Sequence, residues 1–129
     1  METMKALSIK QPWAGFIALS LKTIETRTWK TNYRGRILIC ASKNVDKLAM
    51  MHIIPDPIFT RKGEAIAIAT IMNCRPMEKA DEEKALCTIY PGAYAWVLTN
   101  IKIIKPFPIK GELGLFNVSV DEIEYYTPA

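Results

Sequence analysis

The sequence predicts an α+β fold, a mixed β-barrel of five or six short strands with two or three helices packed outside it. Three observations predict it. Short runs rich in apolar and β-branched residues recur along the chain, each bounded by Gly, Pro, Asn or Ser. Two of them, Arg36 to Ala41 and Ala65 to Ile71, are almost continuously apolar, as strands at a sheet centre are. Between the runs lie segments whose apolar residues recur at helical three- and four-residue spacing. The chain of 129 residues suits one domain spanning residues 1–129, with no internal repeat and no linker.

Taken in order, Ala6 to Ile9 reads as a first short strand, and Pro12 suits the first turn of a helix because its missing N–H is unused there. Trp13, Phe16, Ile17, Leu19 and Leu21 give that helix, expected over Pro12 to Leu21, one broad buried face. Thr23 to Trp29 alternates strictly, which places Glu25, Arg27 and Trp29 on one strand face and Ile24, Thr26 and Thr28 on the other. Asn32 to Gly35 carries turn chemistry before the apolar strand at Arg36 to Ala41. Ser42 is placed to cap a helix over Asn44 to Met51, and Pro55-Asp56-Pro57 reads as a stiff loop. Ala65 to Ile71 alternates small residues with isoleucines and reads as a second core strand. Met77 to Leu86, with Asp81, Glu82 and Glu83 early, suits a short solvated helix. Ala93 to Leu98 and Lys102 to Lys105 follow as separate strands divided at Thr99-Asn100, the second broken by Pro106 and Pro108. Leu115 to Val118 is a last strand, and Val120 to Tyr126 fits a short helix or an edge strand.

Composition narrows the function classes. Hydrophobic residues make up 50% of the chain and the eight prolines are scattered, a globular pattern. The longest apolar stretch, Ala65 to Met72 interrupted by Thr70, falls far short of the roughly 20 residues that cross a bilayer. With no charged-then-apolar leader at the start, the expectation is a cytoplasmic protein without a membrane partner. Seventeen Lys and Arg against thirteen Asp and Glu leave a net charge of +4, a mild bias towards phosphate or acidic ligands. Cys40, Cys74 and Cys87 are odd in number, widely spaced and set in apolar segments, so they read as reduced and buried. With no CxxC and a single histidine, no metal is expected. His52 reads as a packing or surface residue rather than a catalytic one. Neither phosphate-loop nor dinucleotide glycine spacing occurs, and no cofactor is expected.

The chemistry concentrates at Lys22, Glu25 and Arg27, placed between a buried helix and a core strand where unpaired charge is costly. On an exposed face, Glu25 and Arg27 would be an ordinary surface pair worth under ~1 kcal/mol. Their company argues for a site: Gln11-Pro12-Trp13 before the helix, Trp29 after the strand, and Ser42-Lys43 at the end of the next strand.

These residues carry a resemblance. Ser20-Leu21-Lys22-Thr23-Ile24-Glu25-Thr26-Arg27 resembles the G-x-K-x-x-E-x-R signature of the ASCH domains, a branch of the PUA-like superfamily, with Ser20 in place of the glycine. The likeness extends to Leu7 to Ala14, to Tyr33 to Ile39 with Ala41-Ser42-Lys43, to Ala93 to Leu98, and to Pro108 to Gly111 ending in Gly114-Leu115-Phe116. The pattern is similar to that of the small stand-alone bacterial and phage members.

The resemblance implies a PUA-like β-barrel with a cleft into which Lys22, Glu25 and Arg27 point. It also implies a ligand that is RNA or a modified nucleoside, held by charged groups and by stacking on an aromatic ring. Trp13, Trp29, Tyr94 and Trp96 are the candidate platforms, each also a plausible core residue, with core packing favoured for Trp96. Gln11, Ser42, Lys43 and Lys110 complete the expected binding set, with Lys43, Lys110 and Arg36 as phosphate contacts. Some small relatives are amidohydrolases that remove the acyl group of N4-acetylcytidine with a lysine, a threonine and a glutamate. Lys22 matches the lysine, whereas Glu25 stands at the threonine's position. The amidohydrolase alternative therefore makes Glu25 the general base on a water and Lys22 or Arg27 the oxyanion donor. A third alternative is a protein-interaction adaptor in transcription or RNA metabolism, with partners unspecified.

Overall fold

The computed structural model describes residues 1–126. Six strands, β1 (Glu2–Gln11), β2 (Ile24–Arg27), β3 (Gly35–Val45), β4 (Glu64–Pro76), β5 (Tyr94–Pro108) and β6 (Leu115–Val120), form one mixed sheet in the order β2-β5-β4-β3-β1-β6. β1 runs parallel to β3, and the other pairings are antiparallel. Helices α1 (Trp13–Ala18) and α2 (Glu82–Ala85) and three 3₁₀ turns complete the chain. The α+β class and the number of strands are as expected. The barrel is open: its end strands β2 and β6 do not pair among the described residues.

Side chains on the central strands alternate between two cores. Leu7, Ile9, Ile37, Ile39, Ala67 and Ala69 join Ala14 and Ile17 of α1 and Phe59, while Met4, Ala6, Leu38, Cys40, Ala65 and Ile68 join Ile104 and Phe116. Burial on both faces is why the β3 and β4 sequences read as unbroken apolar runs. α1 approaches the 3₁₀ turn at Pro57–Thr60 so closely that a Cβ on Gly15 would stand 2.6 Å from a ring carbon of Phe59.

Several elements differ from expectation for local reasons. α1 stops at Ala18 instead of Leu21 because Ser20 takes a left-handed φ of 61°, and the N–H groups of Leu21 and Lys22 both donate to the Phe16 carbonyl. Ser42 caps no helix; β3 continues to Val45, with Ser42 Oγ accepting from the Asn44 N–H at 3.1 Å, and only a 3₁₀ turn at Ala49–His52 follows. β5 is one long strand that accommodates Asn100 at φ 50°. Pro106 and Pro108 lie within it, where β2, paired only with Tyr94 to Val97, leaves the far side without a strand and tolerates a missing N–H. The Val120 to Tyr126 stretch finishes β6 and then makes a single bridge, Tyr125 to Ile104. The acidic segment is not wholly solvated: Asp81 is buried and takes a two-pronged ion pair from Arg75 at 2.7 and 2.8 Å. Of the cysteines, only Cys40 is fully buried, and burial pushes its thiol up to about 12. No helix among the described residues is long and apolar enough to cross a membrane.

Candidate functional site

The opening in the barrel makes the site. β6 stops pairing with β1 at Leu7, so Ser8 to Lys10 present an unpartnered strand side towards β2 across a gap. Arg27 spans it, its Nη2 donating to the Ser8 carbonyl at 3.0 Å. The space around this bridge is a cleft of about 770 Å³. That volume lies within the roughly 300–1,000 Å³ of small-ligand sites. The cleft is walled by β1, the ends of β2 and β3, and the loop at Ile109 to Gly114.

Three charged side chains are coupled at its floor. Lys22, only 3% exposed, lies 3.7 Å from Glu25 Oε1, and its ammonium also donates to the Ala85 carbonyl at the end of α2. That carbonyl has no partner inside its own helix, so the ammonium satisfies a helix end as well as a carboxylate. The ring of Trp13 lies beneath the same ammonium at 5.6 Å. Burial pushes the Lys22 ammonium below its ordinary value, and the Glu25 carboxylate acts in the opposite direction. Glu25 Oε2 accepts from Arg27 Nε and Nη2 at 3.2 and 3.0 Å, and Oε1 from the Thr26 N–H at 3.1 Å. One carboxylate thus holds two cations, with Lys22 beneath and Arg27 at the seam. A group in this arrangement can orient a polar edge of a ligand or polarise a bound carbonyl.

The residues singled out from the sequence fall into three sets. Lys22, Glu25, Arg27, Trp13, Ser42, Lys43 and Lys110 all line the cleft. Gln11 does not: it is fully buried, donates to the Ile58 and Arg61 carbonyls at 2.8 and 3.1 Å, and accepts from the Gly15 N–H at 2.9 Å. Trp29 also stays outside the lining, standing edge-on to Trp96 at 4.8 Å with its ring near Gly114. Trp96 is completely buried in the core and donates from Nε1 to the Trp29 carbonyl at 3.2 Å, and Tyr94 packs against the same core. Trp13 is therefore the one of the four candidate aromatic platforms that lines the cleft, held by its Nε1 bond to Asp46 at 3.2 Å. His52 is exposed on its 3₁₀ turn. Arg36 pairs with Glu2 at 3.6 Å and lies outside the lining.

Other cleft residues escaped the sequence reading. Tyr90 and Cys87, which follow α2, line the cleft opposite Thr26, with Cys87 Sγ 3.8 Å from Thr26 Oγ1. Nothing in their local spacing announces this, because Lys22 itself ties α2 to β2 through the Ala85 carbonyl. The loop at Ile109 to Gly114 had a signal in Gly111 and Gly114, and its Leu113 is 99% exposed. Among the described residues, no three His, Cys, Asp or Glu side chains are grouped so as to hold a metal ion.

Comparison with known proteins agrees with this architecture. Residues 7–108 match the sequence profile of the ASCH domain. A 36-residue segment is 44% identical to human Activating signal cointegrator 1, a match that covers 28% of this chain and only 6% of that protein. The fold superposes on the crystal structure of ASCH from Zymomonas mobilis with a TM-score of 0.64 and 15% identity, covering 90% of this chain and 87% of that one. A mutant of the Zymomonas mobilis protein gives the same TM-score and identity over 90% of both chains. The chain belongs to the ASCH domain family.

Proposed function

We propose that this protein binds a base of RNA, or a modified nucleoside, in the cleft between β1 and β2. The observation that carries the reading is the coupled trio of Lys22, Glu25 and Arg27 at the floor of a cavity of ligand size. A base offers both donors and acceptors on its edges, and the floor supplies their complements: guanidinium N–H groups from Arg27 and carboxylate oxygens from Glu25. Trp13 supplies a π surface at the wall. In this reading Gln11 fixes the frame behind the site by tying α1 to the 3₁₀ turn that covers it.

Titration calorimetry with the four common ribonucleosides, N4-acetylcytidine and short single-stranded RNAs tests the reading. Binding of one or more of these, weakened at least about tenfold by Glu25→Gln, supports it; a tenfold change is about 1.4 kcal/mol. Binding unchanged in Glu25→Gln, or none across the panel, overturns it.

A second reading has one observation in its favour, a buried lysine whose ammonium is depressed by burial beside a carboxylate. It is hydrolysis of an N4-acylated cytidine. Glu25 takes a proton from water as the water oxygen bonds to the acyl carbon, Lys22 or Arg27 stabilises the oxyanion, and the bond from the acyl carbon to the exocyclic N4 breaks as N4 takes that proton from Glu25, leaving cytidine and acetate. Mass detection of acetate release from N4-acetylcytidine, absent in Lys22→Met, supports turnover; no release by the unmodified protein rules it out.

A further inference from the structure

We infer that the cleft is built for an anionic ligand, and that its mouth at the ends of β3, β4 and β5 is a phosphate subsite served by Lys43 and Lys110. The inference rests on the base-binding reading above and goes further by making the ligand a nucleotide instead of a neutral nucleoside.

Charge is the first ground. Five cationic side chains line the cleft, Lys10, Lys22, Arg27, Lys43 and Lys110, against two carboxylates, Glu25 and Glu112. The lining thus holds an excess of three positive charges, in a molecule whose whole net charge is +4. The two inner cations are already engaged by Glu25, whereas Lys10, Lys43 and Lys110 form no ion pair among the described residues. A neutral ligand would leave these three charges without a partner at the cleft, and like charges concentrated at a concave wall attract a counter-ion.

Construction is the second ground. Gly63 holds a left-handed φ of 65°, its N–H donates to the Ala41 carbonyl at 2.7 Å, and its carbonyl accepts from the Ile109 N–H at 3.0 Å. These bonds join the segments that carry Ser42-Lys43 and Lys110 into one unit. The missing side chain of Gly63 is the bed for the Lys43 stem: a Cβ there would stand 3.0 Å from Lys43 Cε and 3.3 Å from Cγ. Lying along this backbone, the stem directs its ammonium instead of sweeping freely. Ser42 Oγ accepts from the Asn44 N–H, which leaves its own hydrogen free to donate. Two ammonium groups and a hydroxyl at the edge of a base-sized cleft match a phosphate, whose oxygens accept from several donors at once.

The test uses the full chain and calorimetric titration with each ribonucleoside, N4-acetylcytidine, the corresponding 5′- and 3′-monophosphates, and a five-nucleotide RNA of each base. For the base that binds, a monophosphate is expected to bind at least about tenfold tighter than its nucleoside, with an advantage that shrinks as salt is raised. Lys43→Gln and Lys110→Gln should each cut that advantage about threefold or more. Gly63→Ala should cut it as well, and the two surface lysine variants keep the test independent of whether Gly63→Ala folds. An RNA tighter than its monophosphate assigns the phosphate to a polynucleotide, and the reverse order assigns it to a free nucleotide. Equal binding of nucleoside and monophosphate, or an advantage indifferent to both lysine variants, overturns this inference alone. Absence of binding by nucleosides, nucleotides and RNAs alike overturns the base-binding reading together with it.

Discussion

Replacing Glu25 with alanine probes the floor of the cleft most sharply. Among the described residues Glu25 is the only carboxylate paired with Lys22, which is 3% exposed, and it also holds Arg27 through two hydrogen bonds. At the 3.7 Å separation of Lys22 and Glu25, an effective dielectric constant of about 20 gives roughly 4 kcal/mol of attraction before desolvation is subtracted. Removing one partner leaves the other charge buried, and such breaks cost about 3–5 kcal/mol. Arg27, partly exposed, turns towards water and contributes little to that cost. For a chain of 129 residues the loss corresponds to a fall of roughly 11–18 °C in Tm. The double variant Lys22→Met, Glu25→Leu removes both charges and should recover at least half of the loss, because an apolar pair of similar volume often replaces a buried ion pair without penalty. Urea denaturation followed by circular dichroism measures the parent protein, Glu25→Ala, the single variants Lys22→Met and Glu25→Leu, and the double variant. A Glu25→Ala cost under about 1 kcal/mol, or costs that simply add in the double variant, would refute the coupling of these charges.

Further outcomes follow from the same physics. Because burial depresses Lys22 below its unfolded value of 10.5, the unfolded chain binds more protons just below that pH; stability should rise with pH there, and Lys22→Met should lose this component in urea titrations at stepped alkaline pH. Arg75 holds the Asp81 carboxyl at about 2, below its unfolded 3.8, so its contribution is complete above pH 3.8 and disappears as pH falls through about 2; Asp81→Asn should remove that acid dependence from the melting curve. Ser20→Gly should stabilise the fold by about 0.5–1 kcal/mol in denaturant titration, since glycine takes the left-handed φ without steric cost. Gly15→Ala should cost about 1–3 kcal/mol in the same assay, because the buried Phe59 ring occupies the place of the new methyl group.

What could be read from the sequence depended on whether the cause was local. β3 and β4 were legible because both of their faces are buried and their composition says so. The placing of Glu25 and Arg27 on one strand face followed from a period of two, and the structure has both bonded to each other. The end of α1 was misjudged because Leu19 and Leu21 continue a helical apolar pattern, while the stop is written in the backbone of Ser20. That same residue gives a physical reason for the glycine in the family signature, a left-handed cap that ends the helix three-dimensionally before Lys22. The contact of Lys22 with Glu25 was not legible, since it depends on α2 supplying the Ala85 carbonyl from a distant part of the chain. Gln11 looked functional by position, yet it spends its amide on three backbone groups outside the cleft. Strand β5 is continuous across both apparent breaks because Asn100 sits in a bulge opposite Ile68 to Thr70 and the prolines lie where β2 no longer pairs.

The central claim is that the gap between β1 and β2 holds the ligand. Amide chemical-shift mapping on isotopically labelled protein, titrated with the tightest-binding nucleoside or short RNA from the panel, tests it most directly. The account predicts shifts that saturate together at Ser8 to Lys10, Glu25 to Arg27, Ser42 to Asn44 and Lys110 to Gly114, the segments that wall the cleft. Saturating shifts confined to the opposite groove at Ser20, Lys102 and Tyr125 would contradict it.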